Sequence, residues 1–163
     1  MVGMLRIYGG AAMSSGAMSR NKGKRGELEA RDLWRRWFPG CQRIYGQSRK
    51  GSDAPDIGCP EMNRRYYVEV KRYAKITNGM VVRFFEKADA DRDVFDVART
   101  SAVVLTFKAD GEPWYVALRS VDCYDLGLDD EVEYEIAYLR IIPWSSFAAA
   151  LDKIHEVKGG ACG

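Results

Sequence analysis

Three side chains in the middle of the chain have types and spacing suited to phosphoester chemistry. They are Asp56 in the run SDAPDI and Glu69 and Lys71 in the run RYYVEVKRY. The second run is rich in β-branched and aromatic residues and predicts a strand. Side chains alternate across a strand, so Glu69 and Lys71 share one face while Val68 and Val70 take the other and enter the core. A carboxylate two residues from an ammonium is also a common solvated ion pair, and E-x-K alone does not separate the two readings. Asp56 sharpens the pattern. It begins the strand before, and pairing of the two strands brings its carboxylate beside Glu69. Two carboxylates that close raise one pKa unless a cation lies between them. Mg²⁺ binds through one or two carboxylates plus phosphate oxygens, and the backbone carbonyl of Val70 offers a further oxygen. Pro55 stiffens the approach by fixing its own φ.

A third acid, Glu27, lies roughly 60° from the centre of an apolar helical stripe, nearer than Glu29 at about 100°. An acid on the edge of a buried face needs a partner. Arg31, four residues on, is one candidate; a metal or its water is the other.

These residues need elements to hold them. A helix is expected from about Lys24 to Phe38, with Ala30, Leu33, Trp34, Trp37 and Phe38 on one stripe and Pro39-Gly40 as its stop. Cys41 to Tyr45 reads as a short strand, GQSRKGSDAP as a loop, and Glu61 to Arg64 as the turn of a hairpin leading into Arg65 to Tyr73. A helix is expected from Met80 to about Ala98. Strands follow at Ala102 to Phe107 and Trp114 to Leu118, joined by the Asp-Gly turn of KADGEP. Glu133 to Ile142 reads as one further strand, and Ser145 or Ser146 as the cap of a last helix to about Val157. Residues 1–20, rich in Gly, Ala, Ser and Met without a period, are expected to be a flexible arm before one domain over 21–163. The expectation is a mixed α/β domain.

The ordered set Gly26-Glu27, Pro55-Asp56 and Glu69-x-Lys71 resembles the PD-(D/E)xK nuclease superfamily. The longer strings KGKRGE, YGQS, SDAPDI and YYVEVKR resemble the archaeal Holliday-junction resolvases and their phage and bacterial relatives, over about residues 22–120. The resemblance implies a restriction-endonuclease-like core, a central mixed β-sheet flanked by helices. It implies a Mg²⁺-dependent DNA endonuclease, with Mn²⁺ as a substitute, acting as a homodimer on branched DNA. Asp56, Glu69, Glu27 and the Val70 carbonyl would hold the metal. Lys71 would orient or activate the attacking water and offset charge on the phosphate. A serine of the preceding loop assists in the resolvases, and Ser48 or Ser52 stands there. One departure concerns the following helix, where relatives often carry Gln before Ala and FFEKA has Lys87. A nuclease of the same fold acting on duplex or DNA ends, and a non-catalytic nucleic-acid-binding subunit, are the rivals.

Charge fits a polyanion partner only when divided along the chain. The net charge is +2, but residues 1–75 hold 16 Lys/Arg against 7 Asp/Glu, net +9, and the remainder is net −7. Lys22, Lys24, Arg25, Arg43, Arg49, Lys50 and Arg72 surround the acids in sequence and are the expected phosphate contacts, joined at the hairpin by Arg64 and Arg65. There is no run of about 18 apolar residues, so no membrane span is expected. Cys41, Cys59, Cys123 and Cys162 have no metal spacing with the lone His155 and read as reduced thiols of a cytoplasmic protein, mostly apolar filler.

Overall fold

The computed structural model describes residues 15–44 and 53–159. In chain order the elements are α1 (Ser15–Trp34), β1 (Gln42–Arg43), β2 (Ile57–Gly58), α2 (Pro60–Asn63), β3 (Tyr66–Tyr73), α3 (Asn78–Phe95), β4 (Ala102–Ala109), β5 (Tyr115–Arg119), α4 (Ser120–Asp125), β6 (Tyr134–Ile136), β7 (Leu139–Pro143) and α5 (Trp144–Gly159). The seven strands form one mixed sheet in the order β1-β2-β3-β4-β5-β7-β6. Only β3 and β4 run parallel, paired at eight positions from Tyr66 with Ala102 to Tyr73 with Ala109. A parallel pair needs a crossover, and α3 provides it. The remaining pairs are antiparallel.

Helices cover both faces. On one face Val68 and Val70 of β3 join Ala30 and Trp34 of α1 and Phe147 and Leu151 of α5. On the other, Tyr67 of β3 and Leu105 of β4 meet Val81, Phe85 and Ala88 of α3. β4, covered on both sides, reads as the near-continuous apolar run AVVLTF. Trp34 is fully buried, with Phe38, Tyr66, Trp144 and Phe147 ringed around it at centroid distances of 5.4–6.4 Å. Burial of each such side chain contributes roughly 1.5–3 kcal/mol.

The α/β class and the flanked mixed sheet agree with expectation; several boundaries do not. α1 begins at Ser15, so the last residues of the expected arm are helical. Its Ala, Met, Arg and Lys side chains favour helix, and Gly lowers that preference without forbidding it. The helix ends at Trp34, and Trp37 and Phe38 lie in the turn that follows, tied back by amide bonds to the Trp34 carbonyl at 3.2 and 3.1 Å. The hairpin connection is a helical turn, α2, begun by Pro60. Two short elements were not anticipated: α4, and a 3₁₀ turn over Asp129–Glu131. α5 begins at Trp144, ahead of both serines expected to cap it.

The expected single strand over Glu133 to Ile142 is a hairpin instead. Ile136 pairs with Leu139, and the two-residue turn places Ala137 at φ +53°. Tight hairpins call for a left-handed residue, usually Gly, and Ala conceals that signal in the sequence. The left-handed conformation costs Ala about 1–2 kcal/mol, offset in part by the extra freedom Gly has when unfolded. Ala137→Gly is therefore expected to stabilise the protein by about 0.5–1 kcal/mol in urea denaturation. A loss of stability would place Ala137 outside the left-handed region.

Candidate active site

Asp56 is held from three directions. Its N–H donates to the Val68 carbonyl at 3.0 Å, its carbonyl accepts the Ile44 amide at 3.0 Å, and its carboxylate Oδ2 accepts the Val70 amide at 2.7 Å. β2 pairs with β3 only at Ile57 and Val68. Beyond that point the side chain of Asp56 takes the place of the next backbone rung. An exposed strand edge would leave the Val70 amide to water, and a charged acceptor makes a hydrogen bond about twice as strong as a neutral one. Extended backbone turns the N–H and C=O of one residue to the same edge, so the Val70 carbonyl faces the Asp56 side too.

Glu69 lies across the β3 edge from Asp56, and both acids are 7% exposed. Lys71 donates to Glu69 Oε1 at 2.6 Å, and its ammonium sits 5.7 Å from the centre of the Phe84 ring on α3. Burial, then the nearby charge of Asp56, pushes the Glu69 carboxyl up to about 7, although Lys71 pulls the other way. Burial lowers Lys71, but Glu69 and Asp56 outweigh it and hold the ammonium above its ordinary pKa. Two carboxylates and one ammonium leave this interior point one charge negative when all are ionised.

Glu27 approaches from α1 on the opposite face. It accepts a hydrogen bond from Arg43, not from Arg31, which pairs with Asp32 at 2.7 Å. Burial raises the Glu27 pKa, the Arg43 hydrogen bond lowers it, and Asp56 raises it again. Asp56 is thus the acid coupled to both others. α1 comes this close because of Gly26: a Cβ there would stand 2.8 Å from the Cβ of Arg72 on β3. Arg72 in turn donates to Glu29 at 2.5 Å.

The expected residues divide as follows. Asp56, Glu69, Lys71 and Val70 converge at the β3 edge, with Glu27 beside them in partnership with Arg43. Ser48, Ser52, Arg49 and Lys50 lie outside the described residues. Of the expected phosphate contacts, Lys22 pairs with Asp110, Arg25 with Glu29 at 3.3 Å, and Arg72 is largely buried between Glu29 and Asp110. Lys24 is exposed on α1. Lys22, Glu27, Val70 and Lys71 help to line a cleft of about 440 Å³. Arg64 and Arg65 stand at the start of β3, roughly 20 Å of strand from Lys71. His155 packs edge-on against Phe38 at 5.3 Å, a helix position with no link to the acids.

α3 contributes more than the sequence suggested. Thr77 caps it, accepting the Met80 amide at 3.3 Å, and the helix then carries Phe84 over Lys71. Lys87 on the next turn bonds Asp91 at 2.5 Å and feels the charge of Glu69. The apolar spacing of α3 held the signal for that placement, since Val81, Phe85 and Ala88 face the sheet. Among the described residues no group of three or more His, Cys, Asp or Glu side chains converges closely enough to hold a metal ion, and no helix is long and apolar enough to cross a membrane. Comparison with protein-family models, curated proteins and solved structures returned no match.

Two predictions test this geometry. Gly26→Ala must separate α1 from β3 and is expected to cost about 1–3 kcal/mol. Gly23→Ala, with nothing within 4 Å of the new Cβ, should gain about 0.5–1 kcal/mol. Equal effects in urea denaturation would mean that α1 does not touch Arg72. The second concerns Glu69. Its folded pKa lies above the unfolded value, so the folded state binds the extra proton between about 4.5 and 7. Stability of the metal-free protein must therefore fall as pH rises through that window, by on the order of 2–3 kcal/mol, and flatten above it. Glu69→Gln removes that fall. Identical pH slopes for the two proteins would put Glu69 in water.

Proposed function

We propose that this chain is a Mg²⁺-dependent DNA endonuclease with a restriction-endonuclease-like core, acting on branched DNA of the four-way-junction type. The observation that carries the reading is the convergence of Asp56, Glu69 and Lys71 at the β3 edge. The order α1, three antiparallel strands, a crossover helix and a parallel β4 supports the fold assignment. Two carboxylates with one ammonium suit a divalent cation, because Mg²⁺ needs only one or two protein carboxylates when phosphate oxygens and waters complete its shell. Asp56 and Glu69 would hold it, with the Val70 carbonyl as a further oxygen, Glu27 reaching it through a water, and Mn²⁺ as a substitute. When bound, the cation supplies charge stabilisation at phosphorus and a more acidic water.

The chain's own groups do the rest. Asp56, pinned through its backbone and its side chain, sets the position of the scissile phosphate relative to β3. Lys71 remains an ammonium in this anionic setting, so it acts as a donor. It orients the attacking water and offsets negative charge as the phosphorane forms. Phe84 limits the directions open to the Lys71 ammonium. Arg43 and Lys22 border the site, Lys24 is exposed on the same helix as Glu27, and all three can exchange carboxylate or water partners for DNA phosphates. Such contacts read the backbone and not the bases, which suits recognition by shape.

A junction offers two strands to cut symmetrically, and a two-fold homodimer with two sites matches that task. Val94, Phe95, Val97, Val121 and Tyr124 are exposed and supply apolar surface for such a contact. A cytoplasmic location accords with reduced thiols.

The test is cleavage of a four-way junction against linear duplex with Mg²⁺, and with chelator. Junction cleavage that needs Mg²⁺ is expected, reduced about 10²–10⁴-fold in Asp56→Ala, Glu69→Ala and Lys71→Ala. Equal cutting of linear duplex would remove the branched-substrate part alone. Cleavage that survives in Asp56→Ala and Lys71→Ala, or no metal-dependent cleavage at all, overturns the proposal.

A further inference from the structure

Cys41 and Cys59 stand far apart in sequence but face one another in the fold. β1 and β2 pair Arg43 with Ile57 and Gln42 with Gly58. One more step in that register sets Cys41 opposite Cys59. The backbone of Cys59 is still extended there, at φ −152° and ψ 166°. Residues directly opposite in an antiparallel pair have Cα atoms about 4.5–5.5 Å apart, inside the range a disulfide spans. Both side chains belong to the same apolar layer, Cys41 buried within it and Cys59 packed against it. A Cβ placed on Gly40 would lie 3.8 Å from the Cβ of Cys59, so the Cys59 side chain sits over the chain just before Cys41. The two thiols are free.

We propose that Cys41 and Cys59 are the two halves of a reversible disulfide that fastens β1 to β2 and closes a ring containing Asp56. The partly exposed Cys59 meets the oxidant, a small-molecule disulfide such as oxidised glutathione. The Cys59 thiolate attacks one sulfur of that disulfide, forms a mixed disulfide and releases one thiolate. The Cys41 thiol then gives its proton to solvent and attacks the Cys59 sulfur, which expels the second small thiolate. Two protein thiols are oxidised, and one disulfide is reduced to two thiols. Burial, then the proximity of Cys59, pushes the Cys41 thiol up to about 11 against the pull of Arg35 and Arg31. The closing step is therefore the slow one. In a reducing compartment the pair rests open and closes when the thiol pool is oxidised.

This inference does not rest on the nuclease reading, and its readouts need no activity assay. The full chain is equilibrated with oxidised glutathione, then mapped by peptide mass spectrometry and melted with and without dithiothreitol. A Cys41–Cys59 linked peptide is expected, with a melting temperature raised by roughly 5–10 °C and returned by dithiothreitol. Cys59→Ser, at a half-buried position, should fold and lose both effects. Cys123→Ala should keep them. Oxidation that stops at a glutathione adduct on Cys59, a bridge that instead uses Cys123 or Cys162, or thiols that all stay free overturns the proposal.

Discussion

The hydrogen bond from the Val70 amide to the Asp56 carboxylate is the contact on which the candidate site depends. It places an ionised side chain where a sheet would normally place a backbone carbonyl. The edge of β3 is thereby satisfied and charged at once. Because Asp56 is also held through its own amide and carbonyl, its carboxylate has little freedom to relax away from Glu69. The electrostatic tension between the two acids is a consequence of sheet pairing and not of an optional rotamer.

That tension explains the company the acids keep. Lys71 reaches back two residues to Glu69, Phe84 covers its ammonium, and Arg43 neutralises Glu27 on the other side of the edge. Each interaction reduces a cost created by burying charge. None of them balances the pair Asp56 and Glu69 completely, and the remaining negative charge is the strongest physical reason to expect a cation there.

Much of this was legible in the residue order. Alternation in YYVEVKRY assigns Glu69 and Lys71 to one face and Val68 and Val70 to the core, and the folded strand has that arrangement. The nearness of Asp56 to Glu69 followed from two strands and a short connection. The Val70 amide bond did not, because it depends on where β2 stops. Glu27 pairs with Arg43, sixteen residues away, rather than with the helical neighbour Arg31, which is engaged by Asp32. Sequence distance misled for the basic residues as well. Arg72 is adjacent to Lys71 yet buried between acids, and Arg64 and Arg65 lie at the far end of the same strand. The Cys41 and Cys59 juxtaposition was invisible until the strand register was known.

The parallel ladder between β3 and β4 has a further consequence. It is the longest pairing in the sheet, it is covered by helices on both faces, and it carries Glu69 and Lys71 on one of its two strands. Local opening events begin where pairing is short, at β1, β2 and β6. The two charged residues therefore belong to the last part of the molecule to come apart. Asp56 belongs to the first. The site thus joins the most and the least persistent regions of the fold, and its integrity follows the weaker of them.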